Sequence, residues 1–100
     1  MAYADVYKSW QDDPEGYWLK QAEAIDWIEP PKQALFDRGD DVYEWFADAK
    51  VNACWNAVDR HVEAGRGDQV AIIHDSPVSG VTRRITYVNL RNRVAQLAGA

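Results

Sequence analysis

VNACWNAVDRHVEAGRGDQVAII, Val51 to Ile73, decides how the chain is read, because its hydrophobic period changes midway. Val51, Cys54, Val58 and Val62 recur at three- and four-residue steps, which is the spacing of one helix face. Asn52, Asn56, Asp59 and Glu63 fall on the polar face, Gly65 and Gly67 stop the helix, and Asp68 completes the turn. Gln69 to Asp75, QVAIIHD, is then a continuous apolar run between turn residues, the pattern of a strand buried on both faces. A helix feeding such a strand is an α/β arrangement.

Downstream, SPVSGV (76–81) can reverse the chain, and RRITYV (83–88) returns it as an antiparallel partner. Thr86 caps a last helix whose Leu90, Val94, Leu97 and Ala98 line one face. Upstream, VYEWF (42–46) fits a short strand or a helical turn, and ADAK (47–50) reads as a turn. Trp27 to Asp41 has no period, and EPPK (29–32) enforces extended backbone before proline. That segment is expected to cross a surface as a strap without regular structure, held by Trp27, Ile28, Leu35 and Phe36. Two helices precede it. Tyr3, Val6, Tyr7 and Trp10 form the aromatic stripe of the first. Asp13, Pro14 and Glu15 start the second, which Trp18, Ala22 and Ile25 continue.

A lone hairpin is marginal in water, and a buried strand needs cover on both sides. The helices available cover one side, so the fold is expected to be incomplete and to belong to a longer chain.

At 100 residues and 47% hydrophobic content the chain has the proportions of a globular domain. Its net charge of −5 argues against nucleic acid as a partner. No apolar run approaches the ~20 residues that span a bilayer, the longest being Val70 to Ile73. The start, MAYADVYKSW, lacks the pattern of a secretory signal. A single cysteine makes no internal disulfide, which suits a reducing compartment. The expectation is a cytoplasmic protein with no membrane partner.

Several residues invite a chemical role. Cys54 and His61, seven apart, lie on nearly the same helix side but ~10 Å apart along the axis. That is too far for a nucleophile and its base, and no further zinc ligands stand nearby. The plainer role is a small buried thiol and a hydrogen-bonded histidine. The polar face of Asn52, Asn56, Asp59 and Arg60 could grip a substrate, or Asn52 could cap the helix while the others bond backbone and solvent. RGD at Arg66 to Asp68 matches a cell-adhesion tripeptide in a chain with no sign of export. His74 and Asp75 stand at a strand end, where catalytic groups occur but turn roles are commoner. Arg83 and Arg84 could bind phosphate, but neighbours on a strand point to opposite sides. No glycine-rich phosphate loop occurs. No catalytic, cofactor-binding or metal-binding residue is therefore assigned.

The blocks SWQDDPEGYWLKQAEAIDW, YEWF, VNACWNAVDRHVEAGRGDQVAIIHDSP and RRITYVNLRNRVAQLA, in that order, cover nearly the whole chain. Together they resemble the amino-terminal region of the acetyl- and propionyl-CoA synthetases, members of the AMP-forming, adenylating superfamily. Asn52, Asn56, Asp59, Arg60 and His61 match the most specific block, and HDSPVSG (74–80) resembles the propionyl-CoA branch. Two departures stand out: Ala47, Asp48, Ala49 and Lys50 where relatives often have a glycine pair, and Asn89 where they tend to have glutamate. The latter weakens a capping box.

The resemblance implies an enzyme using ATP, magnesium and coenzyme A on a short carboxylate. A carboxylate attacks the α-phosphate of ATP to give an acyl-adenylate and pyrophosphate, and the thiol of coenzyme A then takes the acyl group. It implies that residues 1–50 form a helical cap and strap, and that residues 51–100 begin the AMP-binding domain with a helix, a β-hairpin and a helix. The catalytic parts of that family lie beyond Ala100, so these residues are expected to be structural, to hold no cofactor, and to have the rest of their own chain as partner. Two other readings compete: a free-standing interaction or dimerisation module that docks through its aromatic stripe, and an acidic enzyme using Cys54 and His61.

Overall fold

The structure, a computed structural model, describes residues 2–100. It is a mixture of helices and small antiparallel sheets in two compact units, one ending at Asn52 and the other running Ala53–Ala100.

In the first unit, α1 (Tyr3–Asp12) and α2 (Pro14–Ala22) are separated by one residue. Pro14 takes the first helical position and holds Asp13 out of the helical region at φ −145°. From there the Asp13 carboxylate accepts the Gly16 N–H at 3.0 Å, so one residue ends α1 and caps α2. α2 stops at Ala22, and Ile25 lies beyond it in a turn.

The stretch after α2 has more order than its sequence period suggests. It contains β1 (Trp27–Glu29) and β2 (Leu35–Asp37), each paired with a later strand. β2 runs antiparallel to β3 (Tyr43–Trp45), with Leu35 opposite Trp45 and Asp37 opposite Tyr43. β1 runs antiparallel to β4 (Lys50–Val51). The expected structureless strap is corrected accordingly: three-residue strands are too short to show a period of two. VYEWF resolves as a strand, and its hairpin closes through three consecutive left-handed residues, Gly39, Asp40 and Asp41, at φ 82°, 52° and 59°.

Side chains fasten these ribbons to α2. The Trp27 indole N–H donates to the Ala22 carbonyl at 2.8 Å, and Glu15 accepts the Ala34 N–H at 2.5 Å. The Ala34 carbonyl in turn accepts the Phe46 N–H at 2.7 Å. Both backbone groups of Ala34 are thus satisfied at 1% exposure, as burial requires. Around Ala22 and Ala34, Trp18 meets Trp45 edge-on at 5.5 Å, and Trp27 meets Phe46 at the same distance. The unit's packing is therefore carried by rings.

The second unit opens with a helical segment, Ala53 to Arg66, that contains two wide π-type turns, Trp55–Asp59 and Val62–Arg66. Val51 is not part of it, contrary to the sequence period; it pairs with Trp27 in β4. Gly65 at φ 83° ends the segment, a backbone state that costs a residue with a Cβ about 1–2 kcal/mol. β5 (Val70–Ser76) and β6 (Val81–Thr86) then form the expected hairpin, with Ile72 opposite Ile85 and His74 opposite Arg83. Gly80, at φ 68°, closes it by donating to the Ser76 carbonyl at 2.9 Å.

Thr86 caps α3 (Tyr87–Ala98), accepting the Asn89 N–H at 3.3 Å. The Tyr87 and Val88 amides donate to the Gln69 and Gly67 carbonyls at 3.0 Å each, fixing α3 to the turn before β5. Val58 is the buried hydrophobic residue of this unit. Burial of β5 on both faces is not met by these residues: Ile72 is 41% and Ile73 59% exposed.

Candidate functional site: the helix of Cys54 and His61

The π-type turns set the chemistry of this helix. In an α-helix, residues five apart lie about 140° apart around the axis, so Cys54 and Asp59 belong to different faces. A π turn closes i to i+5, and the structure makes the two hydrogen-bond partners. Cys54 is half-buried, and its pKa is raised above the ordinary thiol value. The causes are the S–H donated to the Asp59 carboxylate, then burial, then the negative charge of Asp59. A thiol prepared for nucleophilic attack has the opposite setting, a neighbouring cation that favours thiolate.

His61 is engaged elsewhere. Arg66 Nη1 lies 3.4 Å from its Nδ1, and its ring is 5.1 Å from that of Tyr87. A guanidinium offers only donors, so Nδ1 acts as acceptor. Arg66 also donates from Nε to Gln69 Oε1 at 2.8 Å and lies 5.9 Å from the Tyr87 ring centroid. Cys54 with Asp59 and His61 with Arg66 and Tyr87 are therefore two separate groupings. Asn52, Asn56 and Arg60 each make interactions of their own.

The RGD tripeptide is the turn that ends this helix. The Gln69 N–H donates to the Arg66 carbonyl at 3.1 Å, and the Gly67 carbonyl receives α3. His74 and Asp75 lie within β5 and not in the turn after it, with Asp75 accepting the Thr82 hydroxyl at 3.1 Å. Among the described residues no three of His, Cys, Asp and Glu come together to hold a metal ion.

Arg83 and Arg84 come into one place with residues that the sequence, apart from Asn89, did not single out. With Ile85, Asn89, Asn92 and Arg93 they line an open groove of ≈ 500 Å³ between β6 and α3. Positions 89, 92 and 93 stand at i, i+3 and i+4. That spacing marks one helix face, a polar signal present in the sequence beside the apolar one of Leu90, Val94, Leu97 and Ala98.

Comparison with known proteins fits this picture. The family described as acetyl-coenzyme A synthetase N-terminus matches residues 3–57. An uncharacterized protein of Pseudomonas aeruginosa is 40% identical over 100 residues, 100% of this chain and 16% of the relative. The Bos taurus protein named acyl-CoA synthetase short-chain family member 3, mitochondrial, is 45% identical over 87 residues, 87% of this chain and 13% of the relative. The acetyl-coenzyme A synthetase of Streptomyces avermitilis is 40% identical over 97 residues, 97% of this chain and 15% of the relative. The chain thus spans 13–16% of the length of these relatives. On the match of residues 3–57, the chain belongs to the acetyl-coenzyme A synthetase N-terminus family.

Proposed function

We propose that this chain is the amino-terminal, structural part of an AMP-forming short-chain acyl-CoA ligase. The parent activates a short carboxylate, propionate by preference, with ATP to an acyl-adenylate and pyrophosphate. The thiol of coenzyme A then displaces AMP from the acyl carbon and loses its proton. Residues 1–50 serve as cap and strap, and residues 51–100 begin the AMP-binding domain, with the rest of the parent chain as their partner. Groups that bind magnesium, coenzyme A and the carboxylate belong to parts of the parent outside these residues.

The observation that carries this reading is the family match over residues 3–57. The structural role is supported by Cys54 and His61, whose partners hold them in packing, and by the exposed Ile72 and Ile73, which leave room for further cover. The test is the complete protein incubated with ATP, magnesium, coenzyme A and either propionate or acetate. One AMP and one pyrophosphate per acyl-CoA, with the higher kcat/KM for propionate, is expected; formation of ADP, or no acyl-CoA, overturns the proposal.

One feature favours the second reading, a docking module: Tyr3 in the α1 stripe is 80% exposed, and Tyr7 and Trp10 are also exposed. A 100-residue chain that is monodisperse and melts cooperatively by itself would support that reading over the first. The proposed compartment is the cytoplasm, resting on the lone cysteine. No helix of the described residues is long and apolar enough to cross a membrane. The bovine relative is named mitochondrial, so cell fractionation decides, and recovery in an organelle overturns the cytoplasmic placement.

A further inference from the structure

The charge of the chain is unevenly divided. The second unit has net charge +2, from six arginines, no lysine and four carboxylates, within a chain of net charge −5. From Ser76 to Ala100 there are four arginines and no aspartate or glutamate. Three of the unit's carboxylates already have partners: Asp59 with Cys54, Glu63 with Arg91 at 3.1 Å, and Asp75 with Thr82. Arg91 is thereby neutralised, and Arg66 is bound to Gln69 and His61. Arg60 has an interaction of its own; Arg83, Arg84 and Arg93 are without a carboxylate partner among the described residues, and all three line the groove between β6 and α3.

Neutral donors join them. The Thr86 hydroxyl donates to Asn89 Oδ1 at 2.8 Å, which leaves the Asn89 amide nitrogen as a two-proton donor in the same groove lining. Position 89 is the third residue of α3, where an acidic side chain is electrostatically favoured; an amide there keeps the groove free of negative charge. Asn92 lines the same wall. Guanidinium forks suit phosphate oxygens. Three arginines and two amides offer more positive charge and more N–H donors than a single tetrahedral anion uses.

We infer that the groove of Arg83, Arg84, Asn89, Asn92 and Arg93 binds a diphosphate group, either free pyrophosphate or the diphosphate of a nucleotide. It is a binding surface without catalytic groups, and it stands or falls independently of the ligase reading. The test is hydrogen–deuterium exchange of the full-length protein, without divalent metal, with pyrophosphate, ADP, orthophosphate or sulfate at matched ionic strength. Saturable protection of peptides covering 82–95 is expected with pyrophosphate. Arg84→Gln and Arg93→Gln should each weaken it about tenfold, the scale of a lost charge-assisted hydrogen bond, whereas Arg38→Gln leaves it unchanged. Equal protection by ADP and pyrophosphate assigns recognition to the diphosphate itself, and stronger protection by ADP adds a nucleoside contact. No protection, equal protection by orthophosphate or sulfate, or protection that survives both arginine variants overturns the inference. Acyl-CoA formation is measured separately, so failure of one proposal is distinguishable from failure of the other.

Discussion

Gly65→Ala isolates one backbone state at the end of the Cys54 helix. Gly65 has φ 83° and ψ 13°, and a Cβ built there meets nothing within 4 Å. The cost is therefore conformational and not steric, about 1–2 kcal/mol for a left-handed alanine, which is roughly a 5–30-fold change in a local equilibrium. Gly67 makes the control. Its φ of −57° is ordinary, and a Cβ would touch Val62 and Val88 at 3.6 Å, a normal contact. Gly67→Ala should thus be neutral or stabilising by about 0.4–1 kcal/mol through lost freedom of the unfolded chain. The assay is amide exchange at Gln69, Tyr87 and Val88, whose N–H groups close this turn and dock α3. Gly65→Ala should speed exchange at all three, and Gly65→Asn should speed it less, because asparagine tolerates the left-handed region better. Unchanged rates in Gly65→Ala, or a larger effect from Gly67→Ala, would refute the assignment of this turn.

The Cys54 thiol is held above its ordinary pKa chiefly by Asp59, so its alkylation should rise only at pH above that of a free thiol. Asp59→Ala removes both the acceptor and the charge, increases thiolate at a given pH, and should move the profile to lower pH; an unmoved profile counts against the pairing. Thr86→Ala removes the α3 cap and should cost about 1 kcal/mol, read as faster exchange of the Asn89 amide. In α2, Asp13→Ala loses the bond to Gly16, while a Cβ on Gly16 would fall on the Asp13 carboxylate and displace the same cap. The two substitutions should therefore be non-additive in a double-mutant cycle, and full additivity would show that the cap carries no stability.

Elements with strong chemical punctuation were legible in the sequence. Asp13-Pro14, Thr86 and Gly65 mark their helix ends directly, and the turn between Asp75 and Arg83 announces the hairpin. Short ribbons were not legible, because Trp27–Glu29 and Leu35–Asp37 define their faces only through distant partners, Val51 and Trp45 among them. The helix from Ala53 was legible as a helix but not in its facing. Its sequence carries a 3.6-residue period throughout, and the π turns change which side chains meet, giving Cys54 to Asp59. The arginine groove needed two elements at once, since Arg83 and Arg84 on β6 show their neighbours Asn89, Asn92 and Arg93 only after the chain turns into α3.

The central claim is that the most reactive side chains of these residues serve structure and not chemistry. The measurement that tests it is kcat/KM for acyl-CoA formation by the complete protein carrying Cys54→Ser and His61→Gln together. Neither residue touches the reacting groups on this account, so the value should match that of the unaltered protein once equal folding is verified. A group acting as acid, base or nucleophile typically contributes about 10²–10⁴-fold, and a loss of that size in a folded variant would contradict the account.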